Sequence, residues 1–184
     1  MEKLTFKSAF KYPFKRATGM WNILWVFLPI IGWFALGGYS IKIAQEFCNG
    51  KFEQLPTFDF GDNLKLGFSM FFKAIPFLII YMIIIVIAEK MGAGVSAAIS
   101  FVIGFFMLPI LFMNFFNKQT VASLFEIKIT NSVYSNLGDY IMVMLKSLGL
   151  GIVFLLMCVV LIGIPAGSFS KNMFLADFYR RNVK

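Results

Sequence analysis

The chain has 184 residues, of which 59% are hydrophobic and 24 are phenylalanine, and it carries a formal net charge of +8 with no histidine. A soluble domain of this size could not bury so much apolar surface, so the composition indicates a protein of the lipid bilayer. The lack of histidine excludes zinc and haem sites built on imidazole, and nucleophiles activated by a histidine base. We expect a non-enzymatic protein with no metal, no cofactor and no nucleic-acid partner.

The first predicted element is an amphipathic helix over residues 1–16. Its lysines recur every four residues, and its phenylalanines recur every four beside them: Lys3, Lys7, Lys11, Lys15, Phe6, Phe10 and Phe14. On a helix this spacing places one cationic stripe next to one aromatic stripe. Such a helix lies flat at the membrane surface, with phenylalanine among the acyl chains and lysine at anionic headgroups. We therefore predict membrane lipids with anionic headgroups as its partners.

Four apolar stretches follow, and each is predicted to cross the membrane, because about 20 apolar residues in a helix cross about 30 Å of hydrocarbon. The predicted spans are about residues 21–39, 66–88, 92–117 and 140–165. Residues that weaken helices predict breaks at Pro29, Pro76, Pro109, Gly163, Pro165 and Gly167. Asp62 is positioned to cap the second span. The last segment, residues 168–181, has aromatic residues on one face and predicts a second interfacial helix.

Three small residues in the third predicted span recur every four positions: Ser96, Ser100 and Gly104. On a helix they form one stripe, and such stripes let membrane helices approach each other closely. We interpret the stripe as a helix contact within the chain. Contact with a second copy, giving a homo-oligomer, is the alternative.

The sequence also suggests an internal duplication. Residues 28–31 read LPII and residues 108–111 read LPIL, while the glycine-aspartate pair ending at Asp62 recurs at Asp139. Each half then contains two spans, so both halves would enter the membrane from the same side. The predicted fold is an all-α integral membrane protein with four transmembrane helices. They form two tandem helix-pair repeats in a single membrane domain, residues 1–184, with interfacial amphipathic helices at both ends.

The distribution of charge predicts the orientation. Basic residues are more frequent at the termini and in the connector at 89–94 than in the connectors after the first and third predicted spans. The positive-inside rule then places both termini in the cytoplasm. In this arrangement Cys48 lies at the outer surface and Cys158 deep in the bilayer, so we expect no disulfide between them.

Two groups of residues carry a family resemblance. The first comprises Gly38, Tyr39, Lys42, Gly50 and the run LPTFD at 55–59, and the second comprises Ile164, Pro165, Gly167, Phe174, Leu175 and Tyr179. With them the chain resembles a family of small polytopic membrane proteins of bacteria and archaea, catalogued as a domain of unknown function, DUF4013. The family pattern has arginine at the position of Lys42, and the glycine after its isoleucine-proline pair stands one position later than Gly167 does. The resemblance implies an all-helical, multi-pass protein of a prokaryotic inner or plasma membrane, with no known activity.

Two functional hypotheses follow. The favoured one is a non-enzymatic accessory or scaffold subunit that organises lipids or partner proteins, because the spans lack ionisable residues near their middles, where transport paths usually place them. The alternative is a small transporter or channel, because transporters build central sites from repeats and broken helices. A homo-oligomer or another membrane protein as partner is compatible with both.

Overall fold

The computed structural model describes residues 3–184, and within this range the chain is helical without a β-strand. Residues 1 and 2 of the predicted helix at 1–16 lie outside the described residues. The α-helices are α1 (Phe6–Lys15), α2 (Ala17–Met20), α3 (Ile31–Cys48), α4 (Phe60–Lys90), α5 (Ala93–Val102), α6 (Leu108–Lys118), α7 (Asn131–Ser135), α8 (Leu137–Leu156), α9 (Gly163–Ser170) and α10 (Met173–Asn182). Short 3-10 helices occupy Trp21–Phe27, Val121–Leu124, Ile127–Thr130 and Met157–Val160, and a π-helical turn occupies Ile103–Met107.

Three helical segments are long and apolar enough to cross a membrane: Phe60–Lys90, Ala93–Lys118 and Leu137–Val160. They correspond to the second, third and fourth predicted spans, so the protein is an all-helical membrane protein. The side chain of Asp59, rather than that of Asp62, caps the first of them, because its carboxylate accepts the amide hydrogen of Asp62 at 2.9 Å. This helix, α4, continues through Pro76 without interruption. The break predicted at Pro76 is therefore wrong.

The first predicted span, residues 21–39, consists of two separate pieces. A 3-10 helix ends at Phe27, Pro29 lies in the turn that follows, and α3 begins only at Ile31. Pro29 has no amide hydrogen to continue a helix. Helix α3 then runs on to Cys48 through polar residues, and it is not among the segments apolar enough to cross a membrane. The described residues thus provide three candidate spans where the sequence predicts four.

Two sharp chain reversals explain how these helices pack back on themselves. Ile30 has a φ of +63° before α3, and Leu161 has a φ of +61° before α9. A glycine follows each reversal by two positions. A Cβ on Gly32 would lie 1.9 Å from the carbonyl oxygen of Trp25, and one on Gly163 would lie 2.0 Å from a carbonyl oxygen of α8. Only glycine fits so close to the preceding backbone.

The remaining predicted breaks lie at or inside helices. Pro109 is the second residue of α6, directly after the π-helical turn. Near the C-terminus the chain turns at residues 161–162, so Gly163 begins α9 and both Pro165 and Gly167 lie inside it. The break predicted there thus falls about half a turn earlier than expected. The reason is that proline is tolerated in the first turn of a helix, where its missing amide would have no partner.

The segment predicted as a second interfacial helix, residues 168–181, is packed in the protein interior. In α10 every residue from Met173 to Tyr179 is buried. The ring of Phe178 lies edge-on to the ring of Tyr140 in α8, with the centroids 5.3 Å apart. The apolar face that suggested contact with lipid is instead buried against protein, because a helical stripe of aromatic residues suits either environment.

Helices α3 and α4 share the most extensive helix contact of the described chain. Gly38 and Gly67 lie at its centre. A Cβ on Gly38 would lie 1.8 Å from the carbonyl oxygen of Asn63, and a Cβ on Gly67 would lie 1.9 Å from that of Phe34. The two backbones approach this closely only because neither glycine has a side chain.

The termini and two connectors meet at one end of the helix bundle. Lys184 donates a hydrogen bond to Asn49, in the connector after α3. Lys3 and Arg181 both form ion pairs with Asp139 at the start of α8, each at 2.7 Å. The sequence-based topology puts these connectors across the bilayer from the termini. Groups in direct contact cannot lie on opposite sides, so that part of the topology is wrong.

The turn between α4 and α5 lies away from this end. Lys73 of α4 donates to the carbonyl oxygen of Gln119 at the end of α6, at 3.0 Å. The turn begins after Lys90, about 26 Å further along α4 at 1.5 Å per residue. We call the end that holds the termini and connectors the polar end, and the turn after Lys90 the hairpin tip.

The two halves related by the sequence match differ in structure. Pro29 lies in a turn, whereas Pro109 lies at the start of a helix that continues the preceding one. Asp59 caps α4 through its side chain, whereas Asn136 precedes α8 without a side-chain cap. The secondary structure therefore gives the predicted duplication no support.

Candidate lipid-facing site

The LPTFD segment, residues 55–59, is held against α3 at the polar end. The hydroxyl of Tyr39 and the ammonium of Lys42 donate to carbonyl oxygens of this segment, at 2.9 Å and 3.0 Å. The guanidinium of Arg16 donates to another at 3.1 Å. These bonds satisfy backbone acceptors that have no helical partner. The segment, whose last residue Asp59 caps α4, thus fixes the start of α4 relative to α1 and α3.

A buried amide joins the connector after α6 to the C-terminal helix. Asn114 is fully buried, and its amide donates to the carbonyl oxygen of Ser123 at 2.8 Å and to Glu126 at 3.1 Å. Its own oxygen accepts from the hydroxyl of Tyr179 at 2.7 Å. A hydrogen bond from Lys118, supported by the one from Asn114, lowers the pKa of Glu126. This network satisfies the buried amide, which would otherwise be costly.

A cluster of charges joins the N-terminal segment, α8 and α10. Asp177, only 2% exposed, forms ion pairs with Arg180 at 2.7 Å and Arg181 at 3.0 Å. Arg181 extends the cluster to Asp139, which also binds Lys3. Paired buried charges of this kind tie elements together, and the loss of one partner leaves the others uncompensated.

The phenylalanines of α1 contact protein. Phe6 stacks on Phe174 with the ring centroids 6.2 Å apart, and Phe10 stacks on Phe154 at 5.8 Å. Phe14 also lies against Phe154, at 6.4 Å. Phe10 and Phe14 are half-buried, whereas Phe6 remains 39% exposed. The three rings thus contact α8 and α10 instead of pointing freely into lipid, and α8 and α10 cover them only in part.

The lysines of α1 lie on its outer face. Lys7, Lys11 and Lys15 are exposed, while Lys3 is exposed and pairs with Asp139. The contacts of the phenylalanines with α8 and α10 fix the rotation of α1 about its own axis. The lysines therefore point away from the protein. We call Lys7, Lys11 and Lys15 the lysine stripe.

Two apolar grooves lie beside the contact of α3 and α4. The first, about 600 Å³, is lined by Ile30, Trp33, Phe34, Gly37, Ile41, Gly67, Met70, Phe71, Ala74, Phe112, Phe115 and Phe116. The second, about 420 Å³, is lined by Ile30, Ile31, Phe34, Gly61, Leu64, Lys65 and Phe68. Both are open, and among residues 3–184 Lys65 is the one charged residue that lines either of them. Their walls combine residues in or next to α3 with residues of the candidate spans Phe60–Lys90 and Ala93–Lys118.

The predicted small-residue stripe lies away from the close helix contacts. Ser96 and Ser100 are half-buried in α5, and Gly104 lies in the π-helical turn. A Cβ on Gly104 would meet no atom within 4 Å. Gly104 therefore makes no close contact within the described chain, and the close backbone approach expected at the stripe is found at Gly38 and Gly67. A second copy of the chain as partner stays a prediction.

The sequence interpretation missed Gly67, Gly37 and Lys65. Gly67 is an isolated glycine in an apolar helix, where such a residue usually has a packing reason. Lys65 begins the apolar part of α4 from its polar side, which is the position expected for a headgroup contact. The fold determines which helix each of these residues faces, and the neighbouring sequence gives no indication of it.

Comparison with known proteins identifies one family. Residues 22–163 match the model of the family described as "Protein of unknown function (DUF4013)". No curated protein and no solved structure matches the chain. The match spans α3 through α8, including the LPTFD segment and both grooves.

Proposed function

The chain belongs to the DUF4013 family, whose function is unknown, and from this premise we propose that the protein is a non-enzymatic accessory or scaffold subunit that organises lipids. It resides in the inner or plasma membrane of a prokaryote and has its polar end in the cytoplasm. The lysine stripe binds the anionic headgroups of the inner leaflet. The proposal rests mainly on one observation: Lys7, Lys11 and Lys15 are exposed on a helix whose opposite face, with Ala9, Tyr12 and Pro13, is buried against protein.

Charge at the polar end supports this orientation. Lys90 is the only basic residue between Lys73 and Lys118, so the hairpin tip carries one cation while the termini and connectors carry many. The positive-inside rule favours the cytoplasm for the more basic side. A lysine near an anionic membrane surface contributes about 1 kcal/mol to the free energy of binding that surface. The three lysines of the stripe together thus give a marked preference for anionic lipid.

Lipid composition around the protein tests the proposal. The full chain is reconstituted in vesicles of phosphatidylcholine with a minor fraction of phosphatidylglycerol, and a styrene-maleic acid polymer then excises it with its surrounding lipid. We expect phosphatidylglycerol to be enriched over the bulk membrane. The triple variant Lys7→Gln, Lys11→Gln, Lys15→Gln should lose most of this enrichment, while the control Lys51→Gln, Lys128→Gln should retain it. An unenriched wild-type protein would contradict the proposal.

The transporter alternative is tested in the same vesicles. The two grooves at the spans are lined by apolar residues apart from Lys65, which supports lipid organisation over the transfer of a polar solute. We expect the protein to cause no uptake of ions or small solutes above that of empty vesicles. Reproducible uptake would favour the transporter.

A further inference from the structure

The two grooves beside Phe34 form one divided surface. The ring of Phe34 lies edge-on to the rings of Phe68 and Phe71, with centroids 5.4 Å apart in both pairs. Phe34 and Ile30 line both grooves. Phe34 is therefore a ridge with one apolar groove on each side.

Charge marks one end of this surface. Lys65 lines the second groove and is exposed, and it lies in the second turn of α4, close to the polar end. Residues Phe71, Ala74 and Phe112, in the first groove, lie further along the candidate spans. The surface thus carries one cation, Lys65, at its end and apolar side chains over the rest, while nearby Lys73 is engaged with the carbonyl oxygen of Gln119. This arrangement suits a headgroup at Lys65 and acyl chains along the apolar side chains.

We propose that this surface is a binding site for one anionic diacyl phospholipid of the membrane. Its two acyl chains lie on either side of Phe34, and its phosphate binds the ammonium of Lys65. The site deepens the proposed function, on which it rests for the location of the polar end at a membrane surface. It differs from the lysine stripe, because its ligand is a single lipid held along α3 and α4.

Local acidic residues set the strength of the site. Asp59 is engaged with the amide of Asp62, and Asp62 itself is exposed one turn before Lys65. The carboxylate of Asp62 competes with a phosphate for Lys65. Its removal should therefore strengthen the preference for an anionic lipid, whereas removal of Lys65 should abolish it.

Tryptophan fluorescence gives a local readout, because Trp33 lines the first groove and is one of three tryptophans in the chain. In a Trp21→Phe, Trp25→Phe background, the full chain is reconstituted in phosphatidylcholine with a minor fraction of lipid brominated on its acyl chains. We expect brominated phosphatidylglycerol to quench Trp33 at a mole fraction about fivefold lower than brominated phosphatidylcholine, the ratio that about 1 kcal/mol per basic residue gives. Equal quenching by the two lipids would overturn the proposal.

Two variants and their controls locate the lipid. Lys65→Gln should remove the preference and Asp62→Asn should increase it, while Lys90→Gln at the hairpin tip should leave it unchanged. Gly37→Leu fills the first groove, because a Cβ there would meet no atom within 4 Å, and it should weaken quenching by phosphatidylglycerol. Gly104→Leu, equally unhindered, is the control. A preference that survives both Lys65→Gln and Gly37→Leu would overturn the site, even where the lysine-stripe variants still lower the bulk enrichment.

Discussion

At the scale of single residues, glycine decides how close α3 and α4 lie. Gly67→Ala puts a Cβ 1.9 Å from the carbonyl oxygen of Phe34, so the helices must separate. Overpacking of this kind costs about 1–3 kcal/mol. We expect a clear fall in the melting temperature in detergent for Gly67→Ala. Gly104→Ala is the matched control and should have no destabilising effect, because its Cβ meets open space. Equal losses in the two variants would show that the contact is misassigned.

The cysteines test burial at the same scale. Burial raises the pKa of Cys48 to about 12, whereas the sequence places this thiol in water. Because the pKa is raised, the reactive thiolate is a minor species, roughly one in ten thousand at pH 8. We expect maleimide to label Cys48 in the folded protein very slowly from pH 7 to pH 9, and rapidly after unfolding in sodium dodecyl sulfate. Mass spectrometry of a Cys158→Ala variant measures this, and rapid labelling of folded protein would contradict the assigned burial.

Local sequence rules account for some of these residues and miss others. The missing amide of Pro29 predicts the turn found there, because the cause lies in the residue itself. The environment of Cys48 could not be predicted, because most of its neighbours in sequence are polar, while the fold buries it in a core cluster with residues of distant elements. The same holds for Gly67, whose role depends on a helix nearly thirty residues away in the sequence.

At the scale of elements, α10 is a structural helix that is held in place by ion pairs. Asp177 is buried with Arg180 and Arg181 around it, and it also accepts the amide of Leu4 at 3.3 Å. Breaking a buried pair costs about 3–5 kcal/mol. Asp177→Asn should therefore lower the stability markedly and expose α1 to trypsin. Glu53→Gln, at an exposed position of the connector after α3, is the control and should change neither property.

Helix periodicity predicts α1, α4, α8 and α10 as elements, but it does not predict what each one faces. The phenylalanines of α1 and the aromatic residues of α10 have the spacing of interfacial helices, and both sets pack on protein. Apolar stripes report that a face avoids water and carry no information on whether lipid or protein covers it. The small-residue stripe at Ser96, Ser100 and Gly104 shows the same limit.

At the scale of the whole molecule, charge segregation organises the structure. Contacts bring both termini and the connectors after α3 and α6 to the polar end, while the hairpin tip carries Glu89 and Lys90. Counting apolar stretches alone gives four alternating spans. The count does not include the reversals of the chain at Ile30 and Leu161. The number of crossings thus depends on backbone reversals that hydropathy does not report.

Cysteine accessibility tests this arrangement most directly. In a Cys48→Ala, Cys158→Ala background, single cysteines replace four exposed lysines, Lys11, Lys51, Lys90 and Lys128. A membrane-impermeant maleimide added to intact cells should label the cysteine at position 90 and spare those at 11, 51 and 128, which should react only after the cells are opened. Labelling of positions 51 and 128 in intact cells, with positions 11 and 90 protected, is the pattern of four alternating spans and would contradict the polar end described for this protein.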